Sequence, residues 1–278
     1  MATPFILTRT KRVILGTGGA NIELRNGDKF SQITYWNVNI IPPDSPNLLY
    51  STIKLTHCEL PYSFYGIDET NNRITINGNN IDVPIGFYTA YTLRDYINNA
   101  NAISTTLLVL NTSTGKYTME NTNSFTITGS ILPAMGLDAG TYTSIWNGST
   151  FVIEFPKAIN LIRTRCLYIN FPNLVLDSLD TRTGNTSCLK SIQVNQPPFS
   201  IINYQNNESG DMLINNFSVK NLQLEIRGDD GDFINFQGQP WSMSLEIKTV
   251  WSMAKIHMPQ SFTGPMPILE NEGEDGEA

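Results

Sequence analysis

Few side chains in this sequence have the type and spacing that acid–base, nucleophilic or metal chemistry requires. The two histidines, His57 and His257, lie far apart in the sequence. A metal centre on a β scaffold needs several histidines and carboxylates close together. Cys58 follows His57 directly, but neighbouring residues of a strand point to opposite faces, so the pair does not form a catalytic dyad. The sequence therefore predicts a protein that is not an enzyme, with no catalytic residue, no metal and no cofactor.

A dense group of carboxylates lies in the segment Gly228-Asp229-Asp230-Gly231-Asp232. A calcium loop of the EF-hand type needs ligands at alternate positions and a glutamate at the twelfth, and this segment lacks that pattern. Arg227-Gly228-Asp229 also has the sequence of an integrin-binding tripeptide, although Gly-Asp is common in turns. We interpret the segment as a solvated loop between two strands, with a bound cation or a receptor contact as the alternatives.

The glycines at Gly16, Gly18 and Gly19 do not form a phosphate-binding loop, because the Gly-Lys-Ser/Thr that ends such a loop is missing. They predict a flexible joint in an N-terminal arm at 1–30. The arm is either mobile or docked on a neighbouring subunit.

The net charge of −7 is concentrated near the C-terminus. Five carboxylates lie there, and they leave about −2 for the rest of the chain: Glu270, Glu272, Glu274, Asp275 and Glu277. A body that is nearly neutral offers no broad basic surface for specific binding of nucleic acid. Together with three prolines after position 258, this composition predicts a flexible acidic tail at 257–278.

Two further classes of protein are disfavoured by composition. No stretch approaches the roughly 18 apolar residues of a membrane-spanning helix, so we expect no membrane span. Cys58, Cys166 and Cys188 are odd in number and include no CxxC pair, so they predict a reducing compartment and no disulfide framework.

Apolar and polar residues alternate most regularly near the two ends of the central region. This pattern predicts strands with one buried face. The apolar positions are Trp36, Val38, Ile40, Ile53, Leu55, Leu222, Leu224, Ile226, Trp241, Met243, Leu245, Ile247 and Trp251.

Shorter strand candidates and Asn-Gly turns lie between these ends. The single helix that the pattern indicates begins at Thr92 as the cap, with Asp95 completing a capping box. We predict an all-β fold, a single jelly-roll β-sandwich with a small insertion that contains one short helix. The jelly-roll domain covers 31–256, and the insertion covers about 86–150.

Aromatic residues cluster in sequence around the segment that precedes this helix. They form either a local core under the insertion or a surface that a second subunit covers, because aromatic residues are enriched at interface centres. The candidate interface residues are Tyr35, Tyr62, Phe64, Tyr65, Phe87, Tyr88 and Tyr91.

Several motifs, taken in order, resemble a known family. They are IKLTHCELPYSFYGI (53–67), IGFYTAYTLRDYINNA (85–100), SILPAMGLDAGTYTS (130–144) and VKNLQLEIRGDDGDFINFQGQPWSMSLEI (219–247). Together they resemble the penton, or minor capsid, proteins of virophages and polinton-like double-stranded DNA viruses. The resemblance covers most of residues 32–252.

The resemblance implies a structural capsid protein that forms the pentameric vertex of an icosahedral particle. Its implied partners are itself, as a homopentamer, and the major capsid protein and other minor capsid proteins. Its implied location is the virion, assembled in the cytoplasm or nucleus of the host cell. A carbohydrate-binding or host-attachment β-sandwich module is the alternative. A glycan hydrolase, which would need two converging carboxylates, is a third possibility.

Overall fold

The structure, a computed structural model, describes residues 5–18, 22–25, 29–41, 47–101, 105–174, 176, 187–206, 211–214 and 218–253. The elements in these ranges are β1 (Phe5–Gly16), β2 (Ile22–Leu24), β3 (Gln32–Tyr35), β4 (Leu48–Pro61), β5 (Arg73–Ile76), β6 (Asn79–Asp82), α1 (Ala90–Ala100), β7 (Leu107–Asn111), β8 (Lys116–Asn121), β9 (Thr126–Thr128), α2 (Leu132–Met135), β10 (Thr141–Thr143), β11 (Ile145–Trp146), β12 (Phe151–Glu154), β13 (Cys166–Asn170), β14 (Cys188–Gln193), β15 (Ile201–Gln205), β16 (Met212–Ile214), β17 (Leu222–Arg227) and β18 (Ser242–Met253).

Two antiparallel sheets share one core and form the body of the fold. The first sheet has the strand order β1-β18-β4-β15, with β16 also paired to β4. The second sheet has the order β14-β13-β17-β3-β2. Strands make up 49% of the structure and helices 7%. The predicted all-β jelly-roll class is confirmed.

The predicted alternation holds in β17 and β18 and explains how they bury one face, but the strand predicted through Trp36 was wrong, because β3 ends at Tyr35 and Trp36 is exposed. In β17, Leu222, Leu224 and Ile226 are buried, and the residues between them are half-buried. In β18, Leu245 stands opposite Leu55 of β4 and buries its side chain in the same core. Each such side chain contributes roughly 1.5–3 kcal/mol when it is removed from water. Apolar burial therefore fixes which face of each strand points inward.

A second core lies in the insertion. The third sheet has the order β10-β9-β5-β6 and the fourth β11-β12-β8-β7. With the two helices they enclose a separate cluster that includes Ile74, Leu93, Met119 and Phe155. This cluster and the apolar residues packed against it come from residues 67–161. The predicted insertion at 86–150 falls inside that range, and the domain boundaries as a whole stay a prediction.

The cap of α1 differs from the predicted one. Thr89 is the N-cap, in an extended conformation, and its hydroxyl accepts a hydrogen bond from the backbone N–H of Thr92. The Thr92 hydroxyl in turn accepts from the Thr89 N–H at 2.9 Å. Thr92 therefore completes the capping box instead of starting the helix, and the prediction of Thr92 as the cap was wrong. Asp95 pairs with the neighbouring Arg94 instead.

A close backbone contact holds the two ends of the insertion together. A Cβ on Gly66 would lie 2.0 Å from the carbonyl oxygen of Leu161. Such an approach is possible only for a residue without a side chain. The chain therefore leaves the sandwich and returns to it at nearly the same place.

Part of the predicted N-terminal arm forms a strand of the first sheet. β1 pairs with β18 without a register shift, from Phe5 opposite Met253 to Gly16 opposite Ser242. Val13 and Leu15 are buried in the sandwich core. The docking of this arm on another subunit stays a prediction, and the predicted tail at 257–278 lies outside the described residues.

Candidate assembly surface

The seven aromatic residues of the predicted interface differ in how far they reach the surface. Tyr35, Tyr62 and Phe64 are buried in the core of their own chain; Tyr65, Phe87 and Tyr88 are half-buried; Tyr91 is exposed. Their role in an interface stays a prediction. Within a single chain, only the last four offer surface to a partner.

Four of the seven make a connected cluster of rings. The ring centres of Tyr62 and Phe64 are 4.7 Å apart, and Tyr62 meets Phe87 edge to face at 5.4 Å. Tyr65 meets Phe87 in the same way at 5.2 Å. Phe64 contacts Phe236, which precedes β18, at 6.2 Å. Edge-to-face pairs at these distances are favourable beyond the area that they bury. The cluster therefore runs from the sandwich core to the surface.

The other three lie apart from this cluster. The hydroxyl of Tyr35 donates to the carbonyl of Gly16 at 3.2 Å, and burial raises the pKa of this phenol. The hydroxyl of Tyr88 donates to the carbonyl of Pro84 at 2.8 Å. The ring of Tyr91 lies under the guanidinium of Arg94. The sequence grouped all seven because they are near each other along the chain, and the fold brings four of them together.

Phe199 extends the cluster to the surface, and sequence reasoning missed it. Its ring lies 4.8 Å from that of Phe87 and is 79% exposed. Its φ of 67° is in the left-handed region, which costs roughly 1–2 kcal/mol for a residue with a Cβ. The N–H of Phe199 donates to the carbonyl of Tyr62 at 2.9 Å, which helps to hold this conformation. The preceding Pro197-Pro198 was the signal of a fixed turn, but it does not indicate exposure.

An arginine links the insertion to the sandwich. Arg163, on the returning segment before β13, pairs with Asp68, with Asp230 at 2.8 Å and with Asp232 at 2.7 Å. It also donates to the hydroxyl of Thr70 at 3.1 Å. We call these five residues the Arg163 cluster. Asp68 and Thr70 lie near the start of the insertion, and Asp230 and Asp232 lie in the loop after β17, so one side chain connects three segments.

The electrostatics of the Arg163 cluster favour the charged arginine. Burial lowers the pKa of Arg163, but the hydrogen bond that Arg163 donates to Asp230 and the charges of Asp68, Asp230 and Asp232 outweigh it, so that the pKa is raised. The side chain of Arg163 is 23% exposed and that of Asp68 is 26% exposed. The cation therefore neutralises carboxylates that are partly withdrawn from water.

A cleft of about 290 Å³ opens beside this cluster. Phe64 and Tyr65 line one part of it, and Lys29, Asn235 and Gln237 contribute polar groups. Aromatic rings next to amide and charged groups are typical of small polar ligand sites. The cleft therefore places aromatic rings beside amide and charged groups.

The charged groups of Arg227-Gly228-Asp229 make contacts within the chain. The guanidinium of Arg227 binds Glu225 at 2.8 Å, donates to the carbonyl of Gly231 at 2.7 Å and lies 4.0 Å from the ring centre of Phe233. Asp229 accepts from the backbone N–H of Arg165 at 2.6 Å. An integrin would have to displace these contacts from both ends of the tripeptide. The loop thus serves to position β13 and the Arg163 cluster.

The histidine and cysteine side chains that could take part in catalysis or metal binding do not form a common site among the described residues. His57 lies 3.3 Å from Glu59, with 43% and 53% of the two side chains exposed. The thiol of Cys58 is buried, and burial together with the charge of Glu59 raises its pKa. In the part of the chain that the structure describes, no three His, Cys, Asp or Glu side chains are grouped as metal ligands would be. His257 lies outside the described residues.

A second exposed apolar patch lies on the insertion. Leu107 and Val109 of β7 are 56% and 42% exposed, and Ile145 of β11 is 74% exposed. Trp146, on the other face of this sheet from Ile145, is 54% exposed, and its ring is tilted by 58° against that of Phe151 with ring centres 5.2 Å apart. This patch and the Phe199 surface are on different elements, which makes them separable by mutation. Among the described helices, none has the length and apolarity to cross a membrane.

Comparisons with known proteins give structural matches only. No family model matches the sequence, and no curated protein matches it. A crystal structure of the mavirus penton protein aligns with a TM-score of 0.44 and 11% identity, covering 86% of this chain and 99% of that chain. The cryo-EM structure of the Sputnik virophage aligns with a TM-score of 0.39 and 12% identity, covering 86% and 97%. Over most of its length, the chain is similar in structure to the penton protein of mavirus and to a chain of the Sputnik virophage.

Proposed function

We propose that this chain is a structural capsid subunit that forms the pentameric vertex of an icosahedral virus particle. Its partners are four further copies of itself, the major capsid protein and other minor capsid proteins. It resides in the virion after assembly in the cytoplasm or nucleus of the host cell. The motifs between residues 53 and 247 led to this expectation, and the surface of the folded chain supports it.

The observation that carries the proposal is the exposure of Phe199. A phenylalanine that is 79% exposed, in a left-handed backbone conformation, gives little stability to the isolated chain. It lies against the half-buried Phe87, and Phe87 contacts Tyr65. Exposed aromatic anchors beside half-buried rings are typical of interface centres, where their burial supplies most of the association free energy. A surface of this kind becomes favourable when another subunit covers it.

The low charge of the body supports the same function. Charged residues make up 15% of the sequence, against about 25% in ordinary domains. Subunits that pack on several sides must remove water from much of their surface, and removal of water from an unpaired charge is costly. Few charges therefore suit a chain that is surrounded by copies of itself and by other coat proteins.

The proposal is tested by assembly of the full-length chain with and without the Phe199 ring. In Phe199→Asn, the new residue tolerates the left-handed backbone and removes the apolar ring. We expect association between subunits to weaken by about tenfold or more. Ile145→Ser removes a side chain of similar exposure from the insertion patch and is the matched control. Native mass spectrometry measures the pentamer, and electron microscopy measures fivefold particles formed with the major capsid protein.

Two results would count against the proposal in different ways. If Phe199→Asn assembles normally and Ile145→Ser does not, the interface lies on the insertion and the Phe199 surface is the wrong one. If the unmodified chain stays monomeric and never joins a particle with its coat partners, the capsid function itself is wrong.

The second candidate function is carbohydrate binding or host attachment by the isolated chain. The cleft lined by Tyr65, Asn235 and Gln237 favours it, because an aromatic ring with adjacent amides suits a sugar. A glycan array probed with monomeric protein tests this function. Binding that is lost in Tyr65→Ala would support it, and an array without signal would exclude it.

A further inference from the structure

The longest edge strand of the two sandwich sheets has one side without a partner. β1 is 12 residues long, whereas the other edge strands β2, β14, β15 and β16 have 3, 6, 5 and 3. It pairs with β18 on one side, and none of the described residues pairs with its other side. Its register has no bulge, and its sequence has no proline. About half of its backbone N–H and C=O groups therefore point away from β18, ready to bind an extended segment.

This edge carries positive charge. Arg9 and Arg12 are exposed, and neither forms an ion pair with a described carboxylate. Lys11 is half-buried and donates to the carbonyl of Val38 at 2.8 Å, so its charge is already engaged within the chain. Glu246 of β18 is the carboxylate opposite Arg12 in the register. The edge of β1 thus has an excess of cations in a chain whose net charge is −7.

The chain has an acidic C-terminal tail, and the last described residue before it lies beside the edge of β1. β18 ends at Met253, which is opposite Phe5 at the start of β1. Glu270, Glu272 and Glu274 then recur at every second position of the sequence. In an extended segment such residues share one face.

The tail is long enough to reach the basic part of the edge. Residues between Met253 and Glu270 can span up to roughly 50 Å. Arg12 lies only about 23 Å along the strand from Phe5. Because the tail is attached beside this edge, its effective concentration there is high, in the millimolar range for short flexible linkers.

We propose that the acidic segment 270–277 of the C-terminal tail binds in extended form along the free edge of β1 of its own chain. The backbone groups of β1 supply hydrogen bonds. Arg9 and Arg12 point to opposite faces of the sheet, so Arg12 binds Glu270, Glu272 or Glu274 on one face and Arg9 binds Asp275 or Glu277 on the other. The bound tail covers an edge that would otherwise pair with strands of other molecules. Two β1 strands from different copies are poor partners for each other, because antiparallel pairing brings their cations together.

Hydrogen exchange of the full-length chain tests the contact. The variant Glu270→Gln, Glu272→Gln, Glu274→Gln removes the alternating charges. We expect amide exchange in a peptide that covers residues 9–12 to become about threefold faster, as expected for the loss of one exposed ion pair. The matched control, Glu69→Gln, Glu120→Gln, Glu154→Gln, removes the same charge from exposed or half-buried positions elsewhere and should not change β1. About 1 M salt should give the unmodified chain the faster exchange as well. Equal exchange in all three proteins would overturn the proposal.

Cross-linking identifies the chain that supplies the tail. Arg12→Lys places an amine at the edge, and a carbodiimide joins it to any glutamate in contact. In a mixture of ¹⁵N-labelled and unlabelled protein, we expect links between residue 12 and the tail within one isotope only. Links between isotopes would show that a second copy supplies the tail, and absence of any link would show that the contact does not exist; either result overturns the proposal. Because both experiments use the isolated chain, their outcome is independent of the capsid function.

Discussion

Removal of the Arg163 side chain should destabilise the fold by about 2 kcal/mol. Breaking a fully buried ion pair costs roughly 3–5 kcal/mol, whereas an exposed pair contributes about 0–1 kcal/mol. Arg163 is 23% exposed, and its partners range from 26% exposed for Asp68 to 67% for Asp232, so the cluster lies between these limits. Arg163→Met keeps an apolar stem of similar length, so the decrease in the free energy of unfolding is due to the lost charge and its hydrogen bonds. Urea unfolding measures the free energy of unfolding.

The effect should not depend on pH between about 6 and 9. The pKa of Arg163 is raised in the folded chain, so its contribution is fully present below the pKa of the unfolded chain and is lost only as the pH rises through the still higher folded pKa. Arg73→Met is the matched control, because Arg73 pairs with Asp82 where both side chains are 54% exposed, and we expect no measurable change. A double-mutant cycle with Asp230→Asn should show coupling. If Arg163→Met lowers the free energy of unfolding no more than Arg73→Met does, or if the coupling energy between Arg163 and Asp230 is zero, the reasoning is refuted.

Three further predictions concern single residues. Gly129→Ala should lower the free energy of unfolding, measured with urea, by about 3 kcal/mol, because the φ of Gly129 is +148° and a Cβ would lie 2.3 Å from the carbonyl oxygen of Arg73. Gly78→Ala is the control and should lower it much less, because the space around Gly78 is open. Cys58 should react with iodoacetamide only through unfolding, since burial raises its pKa, and labelling at the rate of an exposed thiol would contradict this. Burial also raises the pKa of Tyr117, so the folded chain holds a proton that the unfolded chain releases above pH 10, and stability should fall there. Tyr117→Phe should make this fall less steep, as urea unfolding at pH 8 and 10.5 would show.

The parts of the fold that the sequence predicted are those in which apolar burial acts locally. Leu222, Leu224 and Ile226 alternate with polar residues because one face of β17 contacts the core, and that pattern is visible in six residues. β1 was assigned to an arm instead, because only Val13 and Leu15 of this strand are in the core. Its remaining residues are mostly exposed, so the alternation of apolar and polar residues has no physical cause there.

The parts that could not be predicted depend on contacts between distant segments. Arg163 lies more than ninety residues after Asp68 and more than sixty before Asp230. No local sequence pattern predicts a contact between such distant residues, since a charged residue on a connecting segment usually faces water. The exposure of Phe199 was hidden for the same reason: whether a ring is covered depends on the tertiary neighbours of its turn. The cap of α1 was misplaced for a simpler reason, because Thr89 and Thr92 both suit an N-cap and only the backbone conformation separates them.

We expect the Arg163 cluster and the aromatic surface to be coupled. Phe87 precedes α1, which packs in the insertion core, whereas Phe199 belongs to the loop before β15 of the sandwich. Their contact at 4.8 Å therefore requires the insertion to keep its position on the sandwich, and Arg163 ties the two near their junction. If the proposed interface is centred on these rings, Arg163→Met should weaken pentamer formation even under conditions in which the variant is fully folded. Phe199→Asn should weaken the pentamer without loss of unfolding free energy, so the two variants separate the positioning of the surface from the surface itself.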